Sequence, residues 1–211
     1  MTQPGPPTTT SARPGEARGE MPSERDLETA ARRERMVAAA VELAAAGGYD
    51  AVQMRDVAAR AEVALGTLYR HYPSKDHLLL AALGEQARAL RDRMAQRPPE
   101  GVNAAQRTAD VLRRASRALA RRPELTAALV TALSSPEPDT APFKHEVETV
   151  LRAIITTALD NAAVKDPEGV VGTLGYVWLA VLSAWVSGTL DTEQMSEDLE
   201  TAARLLLDRA G

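Results

Sequence analysis

Cysteine is absent from this 211-residue chain, and histidine occurs three times, as His71, His77 and His145. No disulfide and no thiolate metal site can form, and a reduced cytoplasm is compatible with that composition. His145 has no second histidine or carboxylate at a metal-ligand spacing, so it reads as a surface residue and no metal site is expected. G-x-S-x-G, the P-loop, G-x-G-x-x-G and H-E-x-x-H are all missing. The acids spread along solvated faces instead of converging as a pair. An enzyme is therefore not expected, nor is a cofactor. Aromatic residues make up only 3% of the chain while alanine is abundant, which favours packed helices over sheets. There is no excess of positive charge: the net charge is −4. A protein that coats nucleic acid without regard to sequence would be basic throughout, whereas a sequence-specific reader needs only a local positive face. The N-terminus carries no apolar run after its charges, so it does not read as a signal peptide.

Long apolar runs are also scarce, with one exception. Val170 to Leu190 has no charged residue and is long enough to span a bilayer. Its seven Gly, Ser or Thr residues, its acidic flanks and its lack of basic anchors argue against a membrane span. A helix apolar all round is otherwise buried on every side. One side should meet its own core and the other a second chain. The last helix, from about Thr192 to Arg209, adds an apolar stripe from Met195 through Leu199, Ala202, Ala203 and Leu206. Two such helices from each of two chains make a four-helix dimer contact, so a homodimer through the last two helices is expected.

The most informative stretch is Met54 to Lys75, MRDVAARAEVALGTLYRHYPSK. Met54, Val57, Ala58 and Ala61 have the i, i+3, i+4, i+7 spacing of one buried helical face. Glu62-Val63-Ala64 then forms a tight turn. A second short helix runs from about Leu65 to Tyr72 and stops at Pro73, with Leu68 and Tyr72 on its core side. Gly66, Thr67, Tyr69, Arg70 and His71 are left pointing outward. Ser74 reads as the cap of a third helix with Lys75 in its first turn. The segment Leu65–Lys75 holds one Arg, one Lys and one His and no acid, inside an acidic chain. Glycine admits close backbone approach, the hydroxyls of Thr67 and Tyr69 reach phosphates or base edges, Arg70 can fork onto guanine, and Lys75 can neutralise a phosphate. The partner these residues predict is double-stranded DNA. A helix-turn-helix places its second helix in the major groove.

Gly48-Tyr49-Asp50-Ala51, Arg55-Asp56-Val57-Ala58, Gly66-Thr67-Leu68-Tyr69, Tyr72, Ser74-Lys75 and Leu78-Leu79 together resemble the N-terminal signature of the TetR family of bacterial repressors. More narrowly, the segment from Gly47 to Leu79 is similar to the branch of that family that represses sterol (cholesterol) catabolism in actinobacteria. Two positions depart from the common pattern: Gln53 stands where Ser or Thr usually opens the motif, and Glu62-Val63-Ala64 replaces a Gly-Val-Ser turn. The resemblance implies an all-α protein with a three-helix DNA head, a larger helical body and about nine helices in all. It places the start of the first helix beside the DNA backbone, where Arg33 is a phosphate candidate; Arg55 is a similar one. It implies the last two helices as the dimer seam. It also implies a one-component repressor released by a small apolar effector, with an acyl-CoA, sterol-derived or otherwise, as one candidate. An unrelated apolar ligand of a repressor of efflux or lipid-metabolism genes stays open. So does a helical enzyme or adaptor that does not bind DNA.

Taken in order, residues 1–22 are rich in Pro, Gly, Thr and Ser and read as a disordered tail, with a DNA-reaching arm as the alternative. Residues 23–79 are the expected DNA-binding domain and 80–211 the ligand-binding and dimerisation domain. Ser23 and Asp26 resemble a capping box opening a helix that Gly47-Gly48 ends. Arg107, Arg113, Arg114, Arg117, Arg121 and Arg122 decorate a later helix, either as a solvated face or as a cationic rim for an anionic ligand. Trp178 and Trp185 read as core or dimer packing, or as the wall of a pocket. The expected effector cavity is lined by Leu119, Leu129, Val147, Leu151, Ile154, Val177, Trp178 and Val181.

Overall fold

The computed structural model describes residues 23–159 and 164–207, so the N-terminal tail lies outside the described residues. Within them the chain forms nine α-helices and one short 3₁₀ turn, and no strand. The expected all-α architecture is what the sequence folds into.

α1 (Glu24–Ala51) opens on a complete capping box. Ser23 Oγ accepts from the Asp26 amide at 3.3 Å, and the Asp26 carboxylate accepts from the Ser23 amide at 3.2 Å. The helix is interrupted where the glycine pair was expected to end it: Gly48 sits at φ 72° and a single further turn follows. α2 (Met54–Arg60) and α3 (Leu65–His71) form the motif, and α4 (Lys75–Gln96) leaves it. The core of the head gathers Met36, Val37, Ala40 and Ala44 from α1, Val57 and Ala58 from α2, Leu68 from α3 and Leu78 to Leu80 from α4.

That core does not close on itself. α6 (Pro123–Leu133) inserts Leu125, Ala128, Leu129 and Ala132 into it. α4 runs through residue 79 without a break, and Leu80 and Ala82 belong to the same core as Leu78 and Leu79. Head and body are therefore mechanically continuous, because sliding one against the other would open close-packed apolar contacts.

The body adds α5 (Ala104–Ala120), α7 (Ala141–Leu159), α8 (Pro167–Val186) and α9 (Thr192–Leu207). Asn103 caps α5 by accepting from the Gln106 amide at 2.9 Å, and Asp166 caps α8 by accepting from the Gly169 amide at 2.9 Å. The three prolines of Ser134–Pro142 predict a loop and a helix from Phe143; the segment contains the 3₁₀ turn Pro138–Thr140, and α7 begins two residues earlier, at Ala141. Proline at the first helical positions tolerates this start because its missing N–H would have no partner there. α8 contains most of the charge-free run, from Val170 to Val186, after Glu168 in its first turn. By length and composition it could cross a bilayer, but it packs here against α9, α7 and α6. Only 33% of its most apolar eighteen-residue window is buried within this one chain.

Candidate nucleic-acid interface and apolar cavity

In the head, two side chains hold the second helix of the motif. Leu68 is fully buried and Tyr72 nearly so, leaving Leu65, Gly66, Tyr69 and Arg70 exposed and Thr67 and His71 half-buried. Gly66 is informative. A Cβ built there meets no atom within 4 Å, so packing inside the protein does not require glycine. Glycine inside a helix costs about 0.8–1 kcal/mol relative to alanine. The space above Gly66 is thus free for something outside the chain.

The turn before this helix has a defined geometry. Glu62 adopts the left-handed conformation, φ 54°. Its amide donates to Ala59 O at 3.3 Å and the Val63 amide donates to Ala58 O at 3.0 Å. That pair of bonds is a Schellman motif, with glutamate at the position glycine usually takes.

Two arginines of α1 reach the motif. Arg35 Nε donates to Ala61 O at 3.3 Å, and Arg33 Nε donates to His71 Nδ1 at 3.4 Å. The His71 ring therefore carries no proton on Nδ1. Burial, then Arg33, Arg70 and Arg32, hold its pKa below the ordinary 6.5. Arg55, exposed on α2, shares a polar depression with Gln53, Tyr69 and Lys75. Lys75 is not a free cation. Its ammonium lies 3.7 Å above the centre of the Tyr49 ring, 3.4 Å from Tyr49 O and 3.8 Å from the Asp50 carboxylate. The Tyr49 hydroxyl in turn donates to the buried Asp76 at 2.5 Å, and burial together with that carboxylate raises its pKa. Arg33, Arg55, Gly66, Thr67, Tyr69, Arg70, His71 and Lys75 thus belong to one head, with Lys75 already half committed.

Ser74 corrects an expectation. It occupies the N-cap position of α4, yet its hydroxyl makes no capping bond. It donates instead to Glu137 Oε2 at 2.9 Å and lies 2.9 Å from His77 Nδ1. A capping serine is worth about 1 kcal/mol, so another use of that hydroxyl has displaced it.

A partly open cavity of about 310 Å³ lies between α4, α5, α6, α7 and α8. Of the expected lining residues, Leu119, Leu129, Val147, Leu151 and Trp178 face it. Ile154, Val177 and Val181 do not line it. Ile154 turns into a small adjoining core with Ala87, Met94 and Val111, and the cavity receives Ile155 instead. The ridge on α7 is Val147, Leu151, Ile155, an i, i+4, i+8 row. On α8 the cavity takes Val171, Trp178, Leu179 and Leu182, so Val177 and Val181 fall beside it. Sequence reasoning missed the wall from α4, Leu83, Ala87 and Leu90, although Leu83 and Leu90 lie on an apolar face visible in the pattern. Trp178 Nε1 donates to the buried Ser116 Oγ at 3.1 Å, which fixes the ring as wall.

Arg93, Lys144 and Arg152 also reach the cavity, together with Glu148. The expected arginine row does not. Arg107 donates to Ala158 O and Leu159 O at 3.1 and 3.2 Å, satisfying the end of α7. Arg113 and Arg114 pair with the buried Asp110, whose carboxyl pKa is lowered although burial alone would raise it. The Glu100 amide and these two arginines more than offset that burial. Neither group is available as a rim.

Comparisons with known proteins agree with this geometry. Residues 36–82 match the family model described as bacterial regulatory proteins, tetR family, and residues 101–206 match the tetracyclin repressor-like C-terminal domain. The HTH-type transcriptional repressor KstR of Mycobacterium tuberculosis is 35% identical over 192 residues, covering 90% of this chain and 86% of that protein. KstR of Rhodococcus jostii is 37% identical over 177 residues, covering 83% and 82%. A TetR transcriptional regulator from Rhodococcus sp. RHA1 superposes with a TM-score of 0.80 at 31% identity, covering 87% of this chain and all of the other. Thermus thermophilus FadR, solved in complex with lauroyl-CoA, shares the fold at a TM-score of 0.67 and 23% identity, over 82% and 92% of the two chains. A helix-turn-helix head with an outward row of Gly66, Thr67, Tyr69 and Arg70, on a helical body matched by the same family, makes this chain a DNA-binding transcriptional regulator of the TetR family and not an enzyme.

Proposed function

We propose that the chain is a cytoplasmic repressor that binds a palindromic operator as a homodimer and is released by an apolar acyl ligand. The observation that carries the proposal is the position of the cavity. Its walls include α4, the helix that continues directly from the reading head, so a ligand that favours one setting of α4 changes the placement of the head. At about 310 Å³ the cavity is at the lower end of small-molecule sites. Its apolar wall suits an acyl or sterol body, and Arg93, joined by Lys144 and Arg152 if they leave Ser135 O and Glu148, suits an anionic group such as the phosphates of CoA. The resemblance to the sterol-catabolism branch supports a sterol-derived acyl-CoA.

The dimer reading is supported by α8 and α9. Only 33% of the most apolar window of α8 is buried within one chain, Tyr176, which also borders the cavity, is 76% exposed, and Leu205 of α9 is 46% exposed. Pairing α8 and α9 with their copies covers that surface, and it does so without lipid. The residues that meet DNA are Arg33, Arg55, Gly66, Thr67, Tyr69, Arg70, His71 and Lys75, in the head formed by residues 23–79. Residues 80–211 hold the ligand and the seam.

The test is an operator titration. Purified protein is offered duplexes selected from genomic DNA, then titrated with stearoyl-CoA and with a sterol-derived acyl-CoA. The expected result is one selected dyad, bound about 5–150-fold more weakly in the presence of one of these ligands. Selection of no duplex removes the DNA-reading role. Binding that ignores both ligands removes the acyl-CoA.

A further inference from the structure

We infer that Glu137, Ser74 and His77 form a latch through which α7, a wall of the cavity, holds the reading head in its DNA-competent setting. The three residues are far apart in sequence: Ser74 and Glu137 are separated by 63 positions. Ser74 Oγ donates its single proton to Glu137 Oε2 at 2.9 Å. The 2.9 Å contact to His77 must then use a proton on His77 Nδ1. The chain of donors runs from imidazole to hydroxyl to carboxylate, and His77 is almost fully buried. The imidazole ring also meets Phe143 edge-on, with centroids 5.5 Å apart and planes at 85°.

Each half of this contact belongs to a different working part. Glu137 caps the 3₁₀ turn Pro138–Thr140, and the Thr140 hydroxyl donates back to Glu137 O at 2.5 Å. The next residue begins α7, which packs Phe143 against the core of the head and then carries Val147, Leu151 and Ile155 into the cavity. On the other side, Ser74 follows the end of α3 by three residues and immediately precedes Lys75. A shift of α7 therefore reaches the first turn of α4 through one polar contact, by way of the short 3₁₀ turn, and one aromatic contact, in addition to the direct packing of α4 on α7. The hydroxyl has also given up its ordinary capping role, which a contact of convenience would not require.

One fact separates a positioning role from a purely structural one. The Glu137 side chain is 48% exposed, so its bond to Ser74 adds little to global stability. Its loss should act locally, on the helix ends it joins.

The experiment uses the full-length protein and the variants Glu137→Ala, Glu137→Gln and Ser74→Ala. Amide hydrogen exchange is followed by mass spectrometry, and operator affinity by fluorescence anisotropy on a selected duplex. Glu137→Ala should accelerate exchange across residues 65–80 by about fivefold or more while α8 and α9 keep the wild-type rate. Glu137→Gln retains an acceptor for Ser74 and should stay within about twofold of wild type. Ser74→Ala removes the same bond from the other side and should reproduce the local acceleration, even if Glu137→Ala fails to fold. Operator affinity should fall about fivefold or more in Glu137→Ala with the salt slope unchanged, because the phosphate contacts are the same. Unchanged exchange over 65–80, or acceleration spread evenly over the whole chain, overturns the latch. The operator arm rests on the repressor reading above and the exchange arm does not. A wild type that binds no duplex removes that reading and leaves exchange to judge the latch.

Discussion

Replacing Glu62 by glycine should make the protein more stable, although no contact is added. Glu62 occupies the left-handed C′ position of the Schellman motif that ends α2, at φ 54°. An L-residue in that conformation costs roughly 1–2 kcal/mol. Glycine removes the cost but gives the unfolded chain more freedom, worth about 0.4–1 kcal/mol in the opposite sense. The net gain for Glu62→Gly is about 0.5–1 kcal/mol. For a chain of this size that raises the melting temperature by about 1–4 °C. The assay is a thermal melt at fixed protein concentration, since dimerisation would make the midpoint depend on it. Glu62→Ala is the control. Alanine keeps a Cβ and loses only the carboxylate, so it should gain nothing. If Glu62→Ala stabilises as much as Glu62→Gly, charge and not backbone geometry sets the energy of this turn, and the reasoning fails.

Four further outcomes follow from the same geometry. Arg70→Ala should cost about 1–3 kcal/mol of operator binding and relax the preference at one position per half-site; an unchanged preference in a selection removes Arg70 from base reading. Lys75→Ala should weaken binding to all duplexes alike and flatten the salt dependence. It also frees Tyr49 from its cation, so a wild-type salt slope would show that Lys75 serves the fold alone. His71 is a base whose folded pKa is lowered below 6.5, so the unfolded chain holds the proton more tightly. Its contribution is complete above the unfolded value and is lost as pH falls through 6.5 towards the lowered one. Between about pH 7.5 and 5.5 the wild type should therefore lose melting temperature relative to His71→Gln, and parallel melting curves would contradict this. Thr108 Oγ1 is buried without a hydrogen-bond partner, so Thr108→Val should raise stability by about 1 kcal/mol in a urea titration; a loss would mean the hydroxyl has a partner.

How much of this was legible in the sequence depended on how locally each feature is determined. The motif was legible because Val57, Ala58, Leu68 and Tyr72 share the spacing of buried helical faces and Pro73 marks the stop. The Ser23–Asp26 capping box and the Gly47–Gly48 interruption were legible for the same reason: all partners lie within four residues. The direction of the Ser74 hydroxyl was not. A serine before a helix has a nearby amide to cap, and only the approach of Glu137 from the body decides otherwise. The cavity was half legible. Val147, Leu151 and Trp178 lie on apolar stripes, but such a stripe is wide enough to include both Ile154 and Ile155. Which of the two faces the cavity is set by the small core that Ala87 and Met94 of α4 and Val111 of α5 build around Ile154. The arginine row shows the same limit, because Asp110 and the end of α7, which neutralise half of it, are assigned only by tertiary packing.

The central claim is that two copies of this head read one operator with a fixed separation. Footprinting on the DNA upstream of the gene that encodes the chain tests it most directly. A discrete protected segment with dyad symmetry is expected, its half-sites about one helical turn or a multiple apart, fading when the acyl-CoA ligand is added. Protection without a dyad, or spread evenly along the fragment, would contradict it.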